Sequence, residues 1–151
     1  MKPQLKNIKI AQVSWRQAES DLRAVRTPVF IVEQFVTPEF EWDEKDASAV
    51  HLLATLEDLN SAPQPIACLR IFDYHKIGRM AVLKEWRGMG LGASLLLEAV
   101  KICQAHGSKQ MYLSAQTHAI GFYIRCGFKV TSEVYQDVHI PHVDMQLELS
   151  N

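Results

Sequence analysis

The chain has 151 residues, 48% of them hydrophobic and 22% charged, with a formal net charge of −1. That balance suits a globular chain long enough to bury a core without staples, expected as a single domain over 1–151, and gives no electrostatic support to nucleic-acid binding. No run of about 18 apolar residues calls for a membrane span, and the first ten residues lack the apolar core of a signal peptide, so the expected compartment is the cytoplasm.

The first strand is expected within Asn7–Ser14, where Ile8, Ile10 and Val13 alternate in part with polar residues. From Gln17 to Glu33 the apolar positions Ala18, Leu22, Val25, Val29 and Val32 recur at helical spacing. Pro28 interrupts this pattern, which predicts a kink or two short helices. Arg16, Arg23 and Arg26 read as a solvated basic face. The stretch from Phe35 to Ala47 has no periodicity. It carries Phe40 and Trp42 among five acids, Glu39, Glu41, Asp43, Glu44 and Asp46. It reads either as a lid over a site or as a surface loop.

Val50–Glu57, Ile66–Phe72 and Lys76–Leu83 are three strands with short connections, which predicts an antiparallel meander. A long apolar helix spans Leu91–His106 and stops at Gly107. Gln110–Ala115 is the next strand, His118–Cys126 a short helix, and Phe128–Tyr135 and Val143–Leu149 the last strands, with His139-Ile140-Pro141-His142 read as their connecting loop. The order predicts a mixed α/β sheet flanked by helices. Exposed apolar residues on the last strands would suit a homodimer. The three cysteines, Cys68, Cys103 and Cys126, are odd in number and widely spaced, which favours reduced thiols. His139 and His142 alone approach metal-ligand spacing, and no metal site is expected.

The densest chemical signal is the turn between the third meander strand and the long helix: Arg87-Gly88-Met89-Gly90-Leu91-Gly92-Ala93. Glycines at alternate positions let the backbone turn sharply and admit a ligand close to its N–H groups. The helix that follows supplies unpaired N–H donors and a positive dipole end, an arrangement suited to phosphate. A P-loop is excluded because no Lys-Ser/Thr pair follows. Gly88, Gly90 and Ala93 satisfy a dinucleotide fingerprint formally, but the strand Met111–Ala115 and the residues after it lack the required acid.

Arg87, Gly90 and Gly92 stand at the defining positions of R-x-x-G-x-G, and the chain here resembles the pyrophosphate loop of the GNAT N-acetyltransferases. Downstream, Ala119-Ile120-Gly121-Phe122-Tyr123 through Gly127-Phe128 resembles that family's A-x-x-F-Y-x-x-x-G-F segment. Within the family the chain is most similar to the ElaA-like branch. That likeness rests on Val25–Gln34, on Ala115-Gln116 and on Ile140-Pro141-His142-Val143-Asp144-Met145; Asp137-Val138-His139 departs from the branch's Glu-Asp-Gly.

The resemblance implies a GNAT-type fold with a mixed, mostly antiparallel central sheet, and an enzyme that moves an acetyl group from acetyl-CoA to a primary amine on a small molecule or peptide. It assigns the donor to Met80, Ala81, Val82, Arg87, Gly88, Met89, Gly90, Leu91, Gly92, Ala93, Ala119, Phe122 and Tyr123, with the strand backbone near Ala81 and Val82 binding the thioester oxygen. Tyr123 matches the general acid. For the base, Glu33, His118, Glu133 and His142 are all open, with Glu33 and His142 preferred; Glu33 would otherwise be a core-edge carboxylate held by Arg26 or Arg70. The acidic loop would favour a cationic acceptor by long-range attraction. The rival function is an acyl-CoA-binding module without transfer activity.

Overall fold

The computed structural model describes residues 7–58 and 60–150. The strand β1 (Ile8–Val13) leads into the helix α1 (Trp15–Arg26). Ser14 caps that helix: its hydroxyl accepts from the Gln17 N–H while the Gln17 side chain accepts from the Ser14 N–H. The reciprocal pair satisfies two donors that a helix start leaves open.

At Thr27 the helix widens into a π-helical turn, Thr27–Glu33, with Pro28 in its first turn. Proline lacks the N–H that an α-helix needs and its ring crowds the carbonyl four residues back, so the chain continues in the wider coil. Two one-turn helices follow, α2 (Pro38–Glu41) and α3 (Lys45–Ser48).

The meander is β2 (Val50–Leu56), β3 (Gln64–Phe72) and β4 (Lys76–Val82), antiparallel throughout. After a 3₁₀ turn and the glycine turn come α4 (Leu91–Ala105), β5 (Gln110–Gln116) and α5 (Ile120–Arg125). The chain closes with β6 (Lys129–Val130), β7 (Tyr135–Asp137) and β8 (Ile140–Glu148). The sheet order is β1-β2-β3-β4-β5-β8-β6, with β7 also on β8. It is a mixed, mostly antiparallel sheet flanked by helices.

Two features of this sheet open a site. First, β4 and β5 are its one parallel pair among the described residues, and only Lys76 with Tyr112 and Ile77 with Leu113 are in register. Beyond Ile77 the two strands part, leaving a wedge between backbone edges that no neighbouring strand satisfies. Second, β4 bulges where Cys68 faces Ala81 but Arg70 faces Gly78. Arg79, in the bulge, takes φ +48, a left-handed conformation uncommon for a residue with a Cβ.

The helix α4 packs Leu91, Leu95, Leu96, Ala99 and Cys103 on one face of the sheet. On the other face α1 packs Leu22 and Val25 over Leu53, Cys68 and Ala81.

The last third departs from expectation in two places. Phe128–Tyr135 is not one strand. Ser132 leaves the ladder, and its hydroxyl accepts from the Asp144 N–H at 2.8 Å. His142, expected in a loop, lies inside β8 opposite Gln116 on one side and Tyr135 on the other. Pro141 is tolerated there, pairing with Gln136 of the three-residue β7. Val138 and His139 turn the hairpin at φ +44 and +68, the signs that a two-residue I′ turn requires. A β-branched valine in that position is strained.

Candidate active site

A cleft of about 410 Å³ occupies the wedge. Gly78, Arg79 and Met80 of β4 form one wall and Leu113, Ser114 and Gln116 of β5 the other. The end of the π turn, the acidic segment and the β7–β8 hairpin cover it, contributing Gln34, Asp43 and Val138 among others.

Ala119, Phe122 and Tyr123 also line the cleft. The Tyr123 ring is held edge-on between Phe122 and Phe128, with centroids 5.1 and 5.9 Å away. Its hydroxyl has no hydrogen-bond partner among the described residues, yet no enclosed side-chain oxygen there goes unpaired. The oxygen therefore opens into the cleft. Burial pushes the phenol up to about 12, so it stays protonated at neutral pH and can only give a proton.

The glycine turn lies just outside. Gly88 and Gly90 take φ +78 and +83, and a Cβ built at either would meet nothing within 4 Å. These positions need glycine for backbone conformation, and the space around them is open. A Cβ on Gly92 would come within 3.5 Å of the Phe122 ring, which ties the start of α4 to the cleft. Leu91 turns its side chain into the core while Ala93 is exposed, so the turn offers a ligand mainly backbone N–H groups. These residues fit an anionic phosphate chain.

Arg87 does not reach into that turn. Its Nε donates to the Val82 carbonyl at 2.9 Å, and its two terminal nitrogens donate to the Glu33 carboxylate at 3.0 and 2.8 Å. This corrects both roles expected for Glu33. It is held by Arg87, not by Arg26 or Arg70, and those hydrogen bonds keep its carboxyl below the usual range, the wrong direction for a base. Glu33 also lies outside the cleft lining.

The adjoining Gln34 accepts from the Gln116 amide at 2.7 Å. Residues 33 and 34 thus reach both arms of the wedge.

Ala81 is likewise displaced from its expected place. It is 2% exposed and packs in the core with Cys68. Leu83 N–H donates to the Ile66 carbonyl, so by ladder alternation Ala81 faces β3 and Val82 directs its N–H and C=O to the wedge. Of the pair, Val82 is the backbone that faces a ligand.

His142 lines the cleft, 7% exposed. Its Nδ1 lies 2.6 Å from the Ile140 carbonyl. A carbonyl only accepts, so Nδ1 carries the proton and Nε2 holds the lone pair of the neutral ring. The ring stacks on Tyr135, whose hydroxyl donates to Asp144 at 2.6 Å and accepts from Ser114. His118 also borders the cleft but is exposed, and the expected base candidate Glu133 lies outside it.

The acidic segment is not a solvated loop. Arg26 is 1% exposed. It donates to Glu41 at 2.7 Å, to Asp46 at 2.8 Å and to the Glu41 carbonyl at 2.8 Å. Its guanidinium sits 4.8 Å from the Trp42 ring. Arg70 holds Asp43 and Asp46 at 2.8 and 3.0 Å, and Arg79 holds Glu41 at 3.2 Å. Burial alone would raise the Asp46 carboxyl, but the hydrogen bonds from Arg26 and Arg70 outweigh it and hold it low. Arg26 is thus no part of a basic face, and three of the five acids are spent inside the protein. Sequence reading missed this because the partners are 15 to 38 positions apart.

The model of the acetyltransferase (GNAT) domain family matches residues 19–149. The chain belongs to this family. Among its relatives, ElaA of Escherichia coli is 31% identical over 136 residues, covering 85% of this chain and 86% of ElaA. The crystal structure of ElaA matches with a TM-score of 0.77 at 30% identity, covering 93% and 99% of the two chains. An acyl-CoA N-acyltransferase from Pseudomonas aeruginosa matches with a TM-score of 0.79 at 31% identity and the same coverage. YjcF of Bacillus subtilis, an uncharacterised N-acetyltransferase, is 34% identical over 125 residues, 80% of this chain and 86% of its own. The chain is a GNAT domain of the ElaA-like branch.

Proposed function

We propose that this GNAT protein transfers an acetyl group from acetyl-CoA to a primary amine by direct attack, with Tyr123 as general acid and His142 as general base. The observation that carries the reading is the Tyr123 hydroxyl, protonated and opening into the β4–β5 wedge beside the glycine turn. The backbone N–H groups at Gly88–Ala93 hold the pyrophosphate, and the Val82 N–H faces the thioester oxygen. The neutral amine attacks the thioester carbon and a C–N bond forms as the C–S bond breaks. The departing sulfur takes the Tyr123 proton, and the amine loses one to His142 Nε2.

Arg87 and Glu33 together position the end of β4. Cytoplasm is the compartment we assign, supported by three free cysteines. Among the described residues no helix is long and apolar enough to cross a membrane.

Amine-dependent release of free thiol from acetyl-CoA tests the reading. A base must be deprotonated to act, so kcat/KM should fall in acid, and His142→Gln should remove that acidic limb. The acid must stay protonated, so Tyr123 should cause no loss of rate until pH nears 12. An unchanged acidic limb in His142→Gln would discard His142; no thiol release with any amine would discard transfer.

A further inference from the structure

The charges that remain unpaired in the cleft say which acceptors fit. Glu41 and Asp43 are bound to arginines, as described. Among the cleft-lining residues this leaves two cations, Lys45 and Lys76, and one carboxylate, Asp137, with no ion-pair partner among the described residues. They lie at different ends.

Lys76 begins β4 and is the register partner of Phe72, so the two side chains share the sheet face. Lys45 reaches over the same Phe72 ring, its Nζ 5.1 Å from the centroid. Two lysines are thus neighbours of Phe72 at the closed end of the wedge. Arg70 pairs with Gly78 on that face, close by, but is engaged with Asp43 and Asp46. Asp137 stands at the other end, in β7 beside the strand that carries His142.

The basic end is remote from the donor's phosphate turn. β4 runs from Lys76 to Val82 before that turn begins, about 20 Å at roughly 3.3 Å per residue. Lys76 and Met80 are four residues apart, about 13 Å, which a lysine side chain shortens to the length of a small molecule.

Resting on the transferase reading above, we propose that the acceptor is an amine that also bears an oxyanion, a carboxylate or a phosphate. The oxyanion docks between Lys45 and Lys76 over Phe72, and the amine points toward Met80, Tyr123 and His142. The acidic segment selects for this class by positioning Lys45, not by attracting cations: the two carboxylates it contributes to the cleft, Glu41 and Asp43, are paired with Arg26, Arg70 and Arg79. This reverses the cationic preference expected from sequence.

Four acceptors of one chain length test it: 6-aminohexanoate, 6-aminohexyl phosphate, hexylamine and 1,6-diaminohexane. At least one of the two oxyanion acceptors should exceed hexylamine in kcat/KM by on the order of tenfold, with the diamine poorest. Whichever is better identifies the oxyanion. Lys45→Glu/Lys76→Glu should invert the order toward the diamine while KM for acetyl-CoA stays within about twofold. Equal kcat/KM for hexylamine and both oxyanion acceptors would overturn the proposal and leave the transferase reading standing.

A binding arm is independent of transfer. Adipate should raise Tm in the wild type and not in Lys45→Ala/Lys76→Ala. If no amine releases thiol, transfer fails as a reading, but a lysine-dependent adipate shift still supports the oxyanion site and its absence overturns it.

Discussion

Around Gly88–Ala93 the groups offered to a ligand are backbone N–H donors with open space about them. Around Glu41–Asp46 the carboxylates of Glu41, Asp43 and Asp46 have already found arginine partners, and the segment offers a ligand only what that pairing leaves over. The second region lines the cleft and the first lies just outside it. The contrast teaches that an acid-rich stretch is not an electrostatic feature until its partners are counted, whereas a glycine turn before a helix is an anion site by its own local geometry. Substitutions that remove a partner in the second region should cost stability first; those in the first should cost ligand binding first.

The largest effect should come from Arg26→Ala. It leaves the buried Glu41 and Asp46 carboxylates with Arg79 and Arg70 as their remaining partners, and weakening a buried cluster in this way costs up to about 3–5 kcal/mol, to be read from urea or thermal unfolding. The same cluster should show in acid. The Asp46 carboxyl is held below its ordinary value in the fold. Its contribution is therefore fully present above the unfolded value and is lost as pH falls through the lower, folded one. Asp46→Asn should flatten the acid side of the stability curve.

Next is Gly90→Ala. No atom obstructs the new methyl group, so the cost is conformational, about 1–2 kcal/mol for a left-handed residue with a Cβ. KM for acetyl-CoA should rise while that for the acceptor does not. A change confined to the acceptor would break the comparison between the two regions.

The smallest effect on stability should be that of Glu33→Gln. Its ion pair with Arg87 is exposed, and such pairs contribute about 0–1 kcal/mol. The pH–rate profile should keep its acidic limb, since Glu33 is not the base. A lost limb would return it to that role.

What could be read in the sequence follows the same division. The turn from Arg87 to Ala93 and the segment Ala119–Phe128 are contiguous, so their residue types and spacing already carry the chemistry, and the meander strands announce themselves by their short connections. The placement of His142 was hidden because Pro141 beside it reads as a breaker, and only its pairing with a three-residue strand makes the position tolerable. Arg26 looks like a surface residue by spacing; burial and distant carboxylates make it structural. Glu33 was near enough to the site to be a reasonable base. Its partner, Arg87, stands 54 residues away, and nothing local to either residue shows the pairing.

The most direct measurement is the rate of the transfer step in Tyr123→Phe, taken together with the Kd for acetyl-CoA. The phenol is packed by its ring and free at its oxygen, so the substitution keeps the edge-on contacts and removes only the proton donor. kcat should fall about 10²–10⁴-fold with Kd unchanged. Unaltered turnover in a variant that still binds acetyl-CoA would contradict it.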